Sequence, residues 1–169
     1  WLIKNGNKIN NISLCGDSAG AHLAASVTHH LANEDLENVH SQFLIYPMCD
    51  PNCNSESIEL FQEGYLLTKN AMEWFWDKFK NSDNDKNLDT FNLMLLDSNK
   101  KLPKTLIVTA GFDPLSDEGE KYAFLLHQNG TYVKQLHYPS LFHGFANMTR
   151  LKSAKKAVND FLTAYKEIL

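Results

Sequence analysis

The sequence predicts an α/β protein in which a mostly parallel sheet is flanked by helices. Two observations predict this class: short apolar runs alternate with longer amphipathic segments, and no repeat or low-complexity linker interrupts them. The composition agrees, because 43% of the 169 residues are hydrophobic and 21% are charged, which are ordinary values for a globular domain. A chain of this length buries a core as one domain or as part of one.

Four short segments are predicted to be strands, over residues 11–15, 41–47, 104–110 and 131–139. Pro47 closes the second run, as is typical of a short buried strand. Because a helical segment separates each strand from the next, the strands are expected to be parallel neighbours.

Four longer segments are predicted to be helices, over residues 18–33, 69–80, 116–128 and 150–168. Thr68 is a suitable N-cap for the second helix, and the Asn129-Gly130 pair is a suitable stop for the third. Apolar spacing predicts the buried face of three helices. The residues expected on these faces are Leu23, Val27 and Leu31 in the first helix; Met72, Phe75, Trp76 and Phe79 in the second; and Ala154, Ala157, Val158, Phe161, Leu162 and Tyr165 in the last.

Composition and charge argue against several classes of partner. The net charge of −4 without a basic stripe disfavours nucleic-acid binding, and no apolar run approaches the about 20 residues that a membrane-spanning helix needs.

Cys49 and Cys53 could form one disulfide bridge or half of a metal site, but no further Cys or His lies at the spacing of a zinc finger. With Cys15, they are interpreted as reduced thiols. We expect no metal, no cofactor and a cytoplasmic location.

The stretch Gly16-Asp17-Ser18-Ala19-Gly20 lies between the first predicted strand and the first predicted helix and fits the pattern G-x-S-x-G. Glycine at positions 16 and 20 lets backbone segments pass where a Cβ atom would collide. The serine is then expected in a strained conformation with its hydroxyl exposed. The alternative is a tight turn that contains a serine by chance, but the strand-to-helix context favours a nucleophile.

Two further polar residues follow later strands. Asp113 comes after the third strand and His143 after the fourth, so Ser18, Asp113 and His143 follow three different strands in the chain order of a hydrolase triad. Ligands and chemistry in parallel sheets lie at the carboxyl ends of the strands, so the three side chains are expected to meet. Asp117 and Glu118 fall in the first turn of the next helix and are expected to complement its dipole.

Five motifs together resemble the hormone-sensitive-lipase-like family of α/β-hydrolases, which are mostly carboxylesterases and lipases. They are GDSAG, YPMCDP, EGYLLT, DPLSDEGE and FHGF, and they keep the family's order over essentially the whole chain. The resemblance implies that Ser18 is the nucleophile, His143 the general base and Asp113 the carboxylate that orients it. It also implies that the backbone N–H of Ala19 is an oxyanion donor. Ala21 stands where the family commonly has a second glycine.

The family also carries an upstream His-Gly-Gly oxyanion loop and earlier strands that residues 1–169 do not contain. Residues 1–5, in turn, have the pattern of a helix end. Residues 1–169 are therefore expected to be the C-terminal portion of a single α/β-hydrolase domain. This portion expressed alone is expected to be weak or inactive.

The function that the resemblance implies is hydrolysis of short-chain carboxylic esters through an acyl-enzyme, with a small-molecule ester as the partner. Two alternatives stay open: a receptor-like scaffold that binds a ligand without turnover, and an amide or lactone hydrolase on the same triad. The sequence makes no prediction of oligomeric state.

The substrate pocket is expected near the catalytic loops, with residues 48–100 as a helical and loop excursion beside it. The candidate pocket residues are Tyr65, Leu66, Phe142 and Phe145. Trp74, Phe75, Trp76 and Phe79 could line an acyl pocket, but at helical spacing such a stripe is more often core. His22, His29 and His30 are expected to be surface or packing residues.

Overall fold

The structure is a computed structural model that describes residues 11–32 and 36–169. The helix end predicted over residues 1–5 lies outside the described residues.

Among the described residues, the centre of the fold is a sheet of four strands in the order β1-β2-β3-β4, with all neighbouring pairs parallel. The strands are β1 (Ile12–Asp17), β2 (Val39–Ile45), β3 (Lys104–Phe112) and β4 (Val133–Phe142). Each lies within a few residues of its predicted range, so the predicted parallel α/β architecture is confirmed. Since the strands are parallel, their carboxyl ends share one edge of the sheet.

In the described part of the chain, five α-helices connect and flank the strands: α1 (Ala19–Leu31), α2 (Glu56–Leu60), α3 (Lys69–Phe79), α4 (Ser116–Gln128) and α5 (Lys152–Lys166). The four long helices were predicted. The short helix α2 was not, because five residues are too few to show a helical period. Thr68 caps α3 as predicted, and its side chain accepts a hydrogen bond from the Ala71 N–H. No helix in the described ranges is long and apolar enough to cross a membrane.

Hydrophobic cores lie on both faces of the sheet because neighbouring strand residues point to opposite sides. On one face, Phe43 and Leu106 pack in a cluster that includes Phe161 of α5. On the other face, Leu44 and Ile107 pack in a cluster that includes residues of α1 and α4. These two clusters hold the helices against the sheet, and the loops that follow the strands all lie at its carboxyl edge.

The predicted buried face of α1 was wrong. Leu23 and Val27 are 51% and 43% exposed, whereas Ala21, Ala24 and Ala25 are buried. The small side chains allow the helix axis to approach the sheet closely, so the alanine face is the one that packs. The positions of the large apolar side chains therefore predicted the wrong face of α1 as the buried one.

The faces predicted for α3 and α5 were right in part. Met72 and Trp76 are buried in α3, but Phe75 and Phe79 are nearly half exposed. In α5 the buried residues include Phe161, while its neighbour Leu162 is 45% exposed. Successive helical residues differ by about 100° around the axis, so these two cannot both point inward.

Candidate active site

The turn from β1 to α1 places Ser18 at the carboxyl end of the first strand. Ser18 has φ 54° and ψ −121°, a strained combination for a residue with a side chain. Its N–H donates to the carbonyl oxygen of Ile45 at 2.9 Å, which ties the turn to the end of β2. The strained serine expected from the motif is therefore present.

The two glycines of the elbow have different roles. A Cβ atom on Gly16 would lie 2.2 Å from the carbonyl carbon and oxygen of Gly20, so no larger residue fits without a backbone shift. A Cβ atom on Gly20 would have only Asp17 Oδ1, at 4.0 Å, in its surroundings within the described chain. The expectation that both glycines relieve a close approach is thus corrected: Gly16 does, and Gly20 offers the backbone that Gly16 accommodates.

Three polar side chains from three loops form one hydrogen-bonded chain. His143 Nε2 lies 2.9 Å from Ser18 Oγ, and His143 Nδ1 lies 2.8 Å from Asp113 Oδ2. Asp113 Oδ1 accepts a hydrogen bond of 2.8 Å from the Leu115 N–H, which fixes the carboxylate plane. Asp113 has no exposed surface, and His143 is 7% exposed. The structure brings together the three residues that the sequence singled out.

This chain of contacts assigns the tautomer of His143. A carboxylate accepts hydrogen bonds, so the Nδ1–H of His143 donates to Asp113. Nε2 then carries the lone pair that faces the Ser18 hydroxyl. The arrangement can therefore take a proton from a serine and hold the resulting imidazolium beside a buried carboxylate.

Tyr46 lies beside the triad and is not among the residues predicted for the site from the sequence. Its ring centroid lies 4.6 Å from that of His143, and its hydroxyl donates to Asp17 Oδ2 at 3.4 Å. Asn147 Nδ2 donates to the same oxygen at 3.3 Å. Burial raises the pKa of the Tyr46 hydroxyl, which stays protonated. The signal that could have found Tyr46 is its place directly after β2, at the same sheet edge.

Asp117 and Glu118 lie in the first turn of α4, as predicted, and each also accepts hydrogen bonds from a distant backbone. Asp117 Oδ2 accepts from the Ser57 N–H at 2.8 Å. Glu118 is buried, and its Oε1 accepts from the N–H groups of Cys49 at 2.7 Å and Asp50 at 3.4 Å. Burial raises the pKa of Glu118 well above its ordinary value.

An apolar cavity of about 280 Å³ lies beside the elbow. Its lining residues are Ala19, His22, Leu23, Met48, Phe75, Lys78 and Phe79. Phe75 and Phe79 thus belong to the cavity, as the acyl-pocket alternative supposed. Trp76, by contrast, belongs to a buried cluster, and Trp74 is 56% exposed.

None of the four candidate pocket residues is among the residues that line this cavity. Tyr65 stacks on Phe112 with ring centroids 5.5 Å apart, and Phe142 is half-buried opposite Phe112 in the sheet register. Leu66 is 66% exposed, and its Cδ2 would lie 3.6 Å from a Cβ atom built on Gly144.

Phe145 corrects the pocket expectation. It has no exposed surface and packs edge-on against Tyr46 and in a T-shaped pair with Phe161. It therefore supports the histidine loop from the core side and offers no surface to a substrate. Its apolar neighbours in the sequence gave no indication of which side it would face.

The histidines of α1 include two packing residues. His22 Nδ1 lies 3.1 Å from the Met48 carbonyl oxygen, and His29 Nε2 lies 2.8 Å from the Tyr122 hydroxyl. Burial lowers the pKa of both imidazoles to about 4, so they are neutral at pH 7. His30 is exposed. His29 and His30 are thus a packing and a surface residue, as expected, whereas His22 packs in the core and also lines the cavity beside the elbow.

The thiols are free in the structure. Cys49 and Cys53 are buried, and burial raises the pKa of the Cys53 thiol to about 12, which keeps it protonated and unreactive. Cys15 is exposed. Within residues 11–32 and 36–169, no group of three or more His, Cys, Asp or Glu side chains is placed to hold a metal ion.

Comparisons with known proteins identify the family of the chain. Residues 1–147 match a family model described as the alpha/beta hydrolase fold. The carboxylic ester hydrolase LipN of Mycobacterium tuberculosis (strain ATCC 25618 / H37Rv) is 37% identical over 160 residues, which cover 90% of this chain and 42% of that protein. An ethyl acetate hydrolase of Pseudomonas putida is 29% identical over 153 residues, which cover 88% of this chain and 48% of that protein.

Solved structures agree with the family match. A hyperthermophilic esterase from the archaeon Pyrobaculum calidifontis superposes with a TM-score of 0.89 at 30% identity, covering 99% of this chain and 57% of that one. The chain spans about half the length of the relatives that it matches. On the family match, the parallel sheet and these relatives, the chain belongs to the alpha/beta hydrolase fold family, in its hormone-sensitive-lipase-like branch.

Proposed function

We propose that the protein hydrolyses carboxylic esters with Ser18 as nucleophile, His143 as general base and Asp113 as the orienting carboxylate. The observation that carries the proposal is the continuous chain from Ser18 Oγ through His143 Nε2 and Nδ1 to Asp113 Oδ2, with contacts of 2.9 and 2.8 Å. These contacts are within the range expected of a nucleophile and its base.

In the first half-reaction His143 Nε2 takes the proton of Ser18 as Oγ attacks the carbonyl carbon of the ester. The carbonyl π electrons move to oxygen, and the Ala19 N–H is the donor we assign to that oxyanion. When the tetrahedral intermediate collapses, the bond to the alcohol oxygen breaks. The imidazolium gives its proton to that oxygen, so the alcohol leaves neutral and an acyl-enzyme remains.

In the second half-reaction a water molecule takes the place of Ser18 as the nucleophile. His143 takes a proton from the water as its oxygen attacks the acyl carbon, and the proton then returns to Ser18 Oγ as the ester bond to the enzyme breaks. The products are the carboxylic acid and the free serine. Asp113 keeps the Nδ1–H in place throughout and stabilises the imidazolium without being protonated itself.

Short acyl esters are the substrate class we assign. A cavity of about 280 Å³ beside Ala19 has room for a short aliphatic group, and its lining is largely apolar. A relative named ethyl acetate hydrolase supports the same size class. The small-molecule ester is the only partner that the proposal requires.

The test is labelling of the full-length protein with a fluorophosphonate probe, followed by peptide mapping and turnover of p-nitrophenyl acetate and butyrate. We expect the label on Ser18, and we expect Ser18→Ala to lose both label and turnover while keeping its circular dichroism spectrum. A folded Ser18→Ala protein with wild-type turnover would exclude Ser18 as nucleophile. Absence of labelling in the wild type would favour the receptor-like alternative.

An amide and lactone panel separates the remaining alternative, because the same triad serves all acyl transfers. We expect kcat/KM for the short esters to exceed that for matched amides and lactones. A higher value for a lactone or an amide would reassign the reaction while leaving the triad unchanged.

A further inference from the structure

We propose that Glu118 is a positioning residue for the triad, and that it acts through residues 45–50, called here the 45–50 segment. The inference rests on the proposed function, because it assigns Glu118 a part in the same reaction. Glu118 touches neither Ser18 nor His143 in any contact of the described residues.

The 45–50 segment contacts elements that carry two of the three triad residues. The carbonyl oxygen of Ile45 accepts the Ser18 N–H at 2.9 Å. The Tyr46 ring lies 4.6 Å from the His143 ring. A shift of this segment would therefore move the nucleophile and the base relative to each other.

The same segment is also bonded to the helix that follows the nucleophile. The Met48 carbonyl oxygen accepts a hydrogen bond from His22 Nδ1 at 3.1 Å, and His22 lies in the first turns of α1. Burial lowers the pKa of His22 to about 4, so the ring is neutral at pH 7, and because a carbonyl oxygen only accepts hydrogen bonds its single proton lies on Nδ1.

Glu118 connects the C-terminal end of the 45–50 segment to α4, the helix that follows Asp113. Its Oε1 accepts from Cys49 N at 2.7 Å and from Asp50 N at 3.4 Å. Glu118 belongs to the first turn of α4, five residues after Asp113. One carboxyl group therefore links the Asp113 loop to the segment that holds Ser18 and His143.

The surroundings of Glu118 indicate that its carboxyl group serves as the hydrogen-bond acceptor for the Cys49 and Asp50 N–H groups. The residue is 3% exposed, and its Oε2 has no hydrogen-bond partner within the part of the chain that the structure describes. No lysine or arginine pairs with it among those residues; the charged groups that act on it are Asp50 and Asp113. Burying a carboxyl group without a cation is costly, and the two backbone hydrogen bonds that Oε1 accepts offset part of that cost.

The experiment compares Glu118→Ala, Glu118→Asp and Glu118→Gln with the control Glu120→Ala, which removes an exposed carboxylate two residues later. The amide of Glu118→Gln keeps an oxygen at the Oε1 position, whereas Glu118→Asp withdraws it by one methylene. We expect kcat to fall about 10- to 100-fold in Glu118→Ala and by a smaller factor in Glu118→Asp, with KM little changed. Glu118→Gln and Glu120→Ala should keep the wild-type kcat.

Two results would overturn the proposal. One is a folded Glu118→Asp or Glu118→Ala protein with wild-type kcat, and Glu118→Asp keeps the test available if the alanine variant does not fold. The other is a Glu118→Gln protein as slow as Glu118→Ala, since the acceptor oxygen is present in glutamine.

A second readout does not depend on hydrolysis. The proton on His143 Nδ1, shared with buried Asp113, should give a downfield NMR signal that Asp113→Ala removes. We expect this signal to shift or broaden in Glu118→Ala and Glu118→Asp but not in Glu118→Gln. If the wild type shows no turnover but the signal responds, the proposed function fails and the positioning role stands. If turnover is present and neither kcat nor the signal responds, the positioning role fails alone.

Discussion

A Cβ atom on Gly16 would lie 2.2 Å from the carbonyl carbon of Gly20, so β1 and the first turn of α1 touch through backbone alone. We predict that Gly16→Ala displaces the turn that carries Ser18, because a contact under 3 Å with backbone cannot be relieved by a rotamer change. The expected result is a loss of fluorophosphonate labelling at Ser18 and a lower melting temperature, measured by circular dichroism.

Gly20→Ala is the matched control for that variant. A Cβ atom at Gly20 meets only Asp17 Oδ1, at 4.0 Å, in the described residues, and alanine stabilises a helix over glycine by about 1 kcal/mol. We expect Gly20→Ala to keep labelling at Ser18. Equal loss of labelling in both variants would contradict the different roles assigned to the two glycines.

Asp113→Asn should leave the fold intact and lower kcat by a factor of about 10⁴. The asparagine amide can present N–H to His143 Nδ1, which favours the tautomer that cannot accept the Ser18 proton at Nε2. Steady-state hydrolysis of p-nitrophenyl butyrate measures the effect. Asp117→Asn is the control, because its side chain can still accept from the Ser57 N–H; a comparable loss there would argue against the assignment of Asp113.

Phe75→Ala should extend the range of acyl chains that the protein accepts. Phe75 lines the apolar cavity beside Ala19, and each methylene placed in such a cavity is worth about 1 kcal/mol or more of discrimination. We expect the ratio of kcat/KM for octanoate to that for butyrate to rise about tenfold. Phe124→Ala removes another exposed ring and should leave the ratio unchanged.

Acid should destabilise the fold through the buried histidines. The pKa of His22 and His29 is about 4 in the folded protein and 6.5 in an unfolded chain. Between these values the unfolded chain binds more protons, so the free energy of unfolding contributed by these groups is complete above pH 6.5 and falls as the pH falls toward 4. The loss reaches about 3 kcal/mol for each histidine.

Urea titrations at several pH values measure this dependence. His29→Gln should flatten the slope between pH 6.5 and 4 by roughly one proton, because it removes one of the two titrating groups. His30→Gln, which replaces an exposed neighbour, should retain the wild-type slope. The same slope in His29→Gln and wild type would show that His29 does not carry the effect.

The order of strands and long helices was predictable from the sequence because it rests on local patterns. Strands such as residues 104–110 have an apolar centre, here Leu106, Ile107 and Val108, and caps such as Thr68 act within a few residues of their own position. The meeting of Ser18, Asp113 and His143 was predictable for a different reason: parallel strands bring the residues after them to one edge.

Contacts between distant segments were not predictable in the same way. Nothing near Glu118 in the sequence indicates that it accepts hydrogen bonds from Cys49 and Asp50, 69 and 68 residues away. The inward face of α1 was misassigned because the close helix–sheet packing favours Ala21 and its small neighbours over Leu23. Side-chain direction in a loop, as at Phe145, also depends on the completed core.

At Ser18, the backbone conformation lowers the stability of the fold, while the side chain is the one proposed to carry the activity. A residue with a side chain at φ 54° and ψ −121° carries a conformational cost of about 1 to 3 kcal/mol that glycine largely avoids. Selection for thermal tolerance alone would therefore favour Ser18→Gly, which removes the hydroxyl. Any programme that evolves this protein for heat resistance must screen for turnover in the same round.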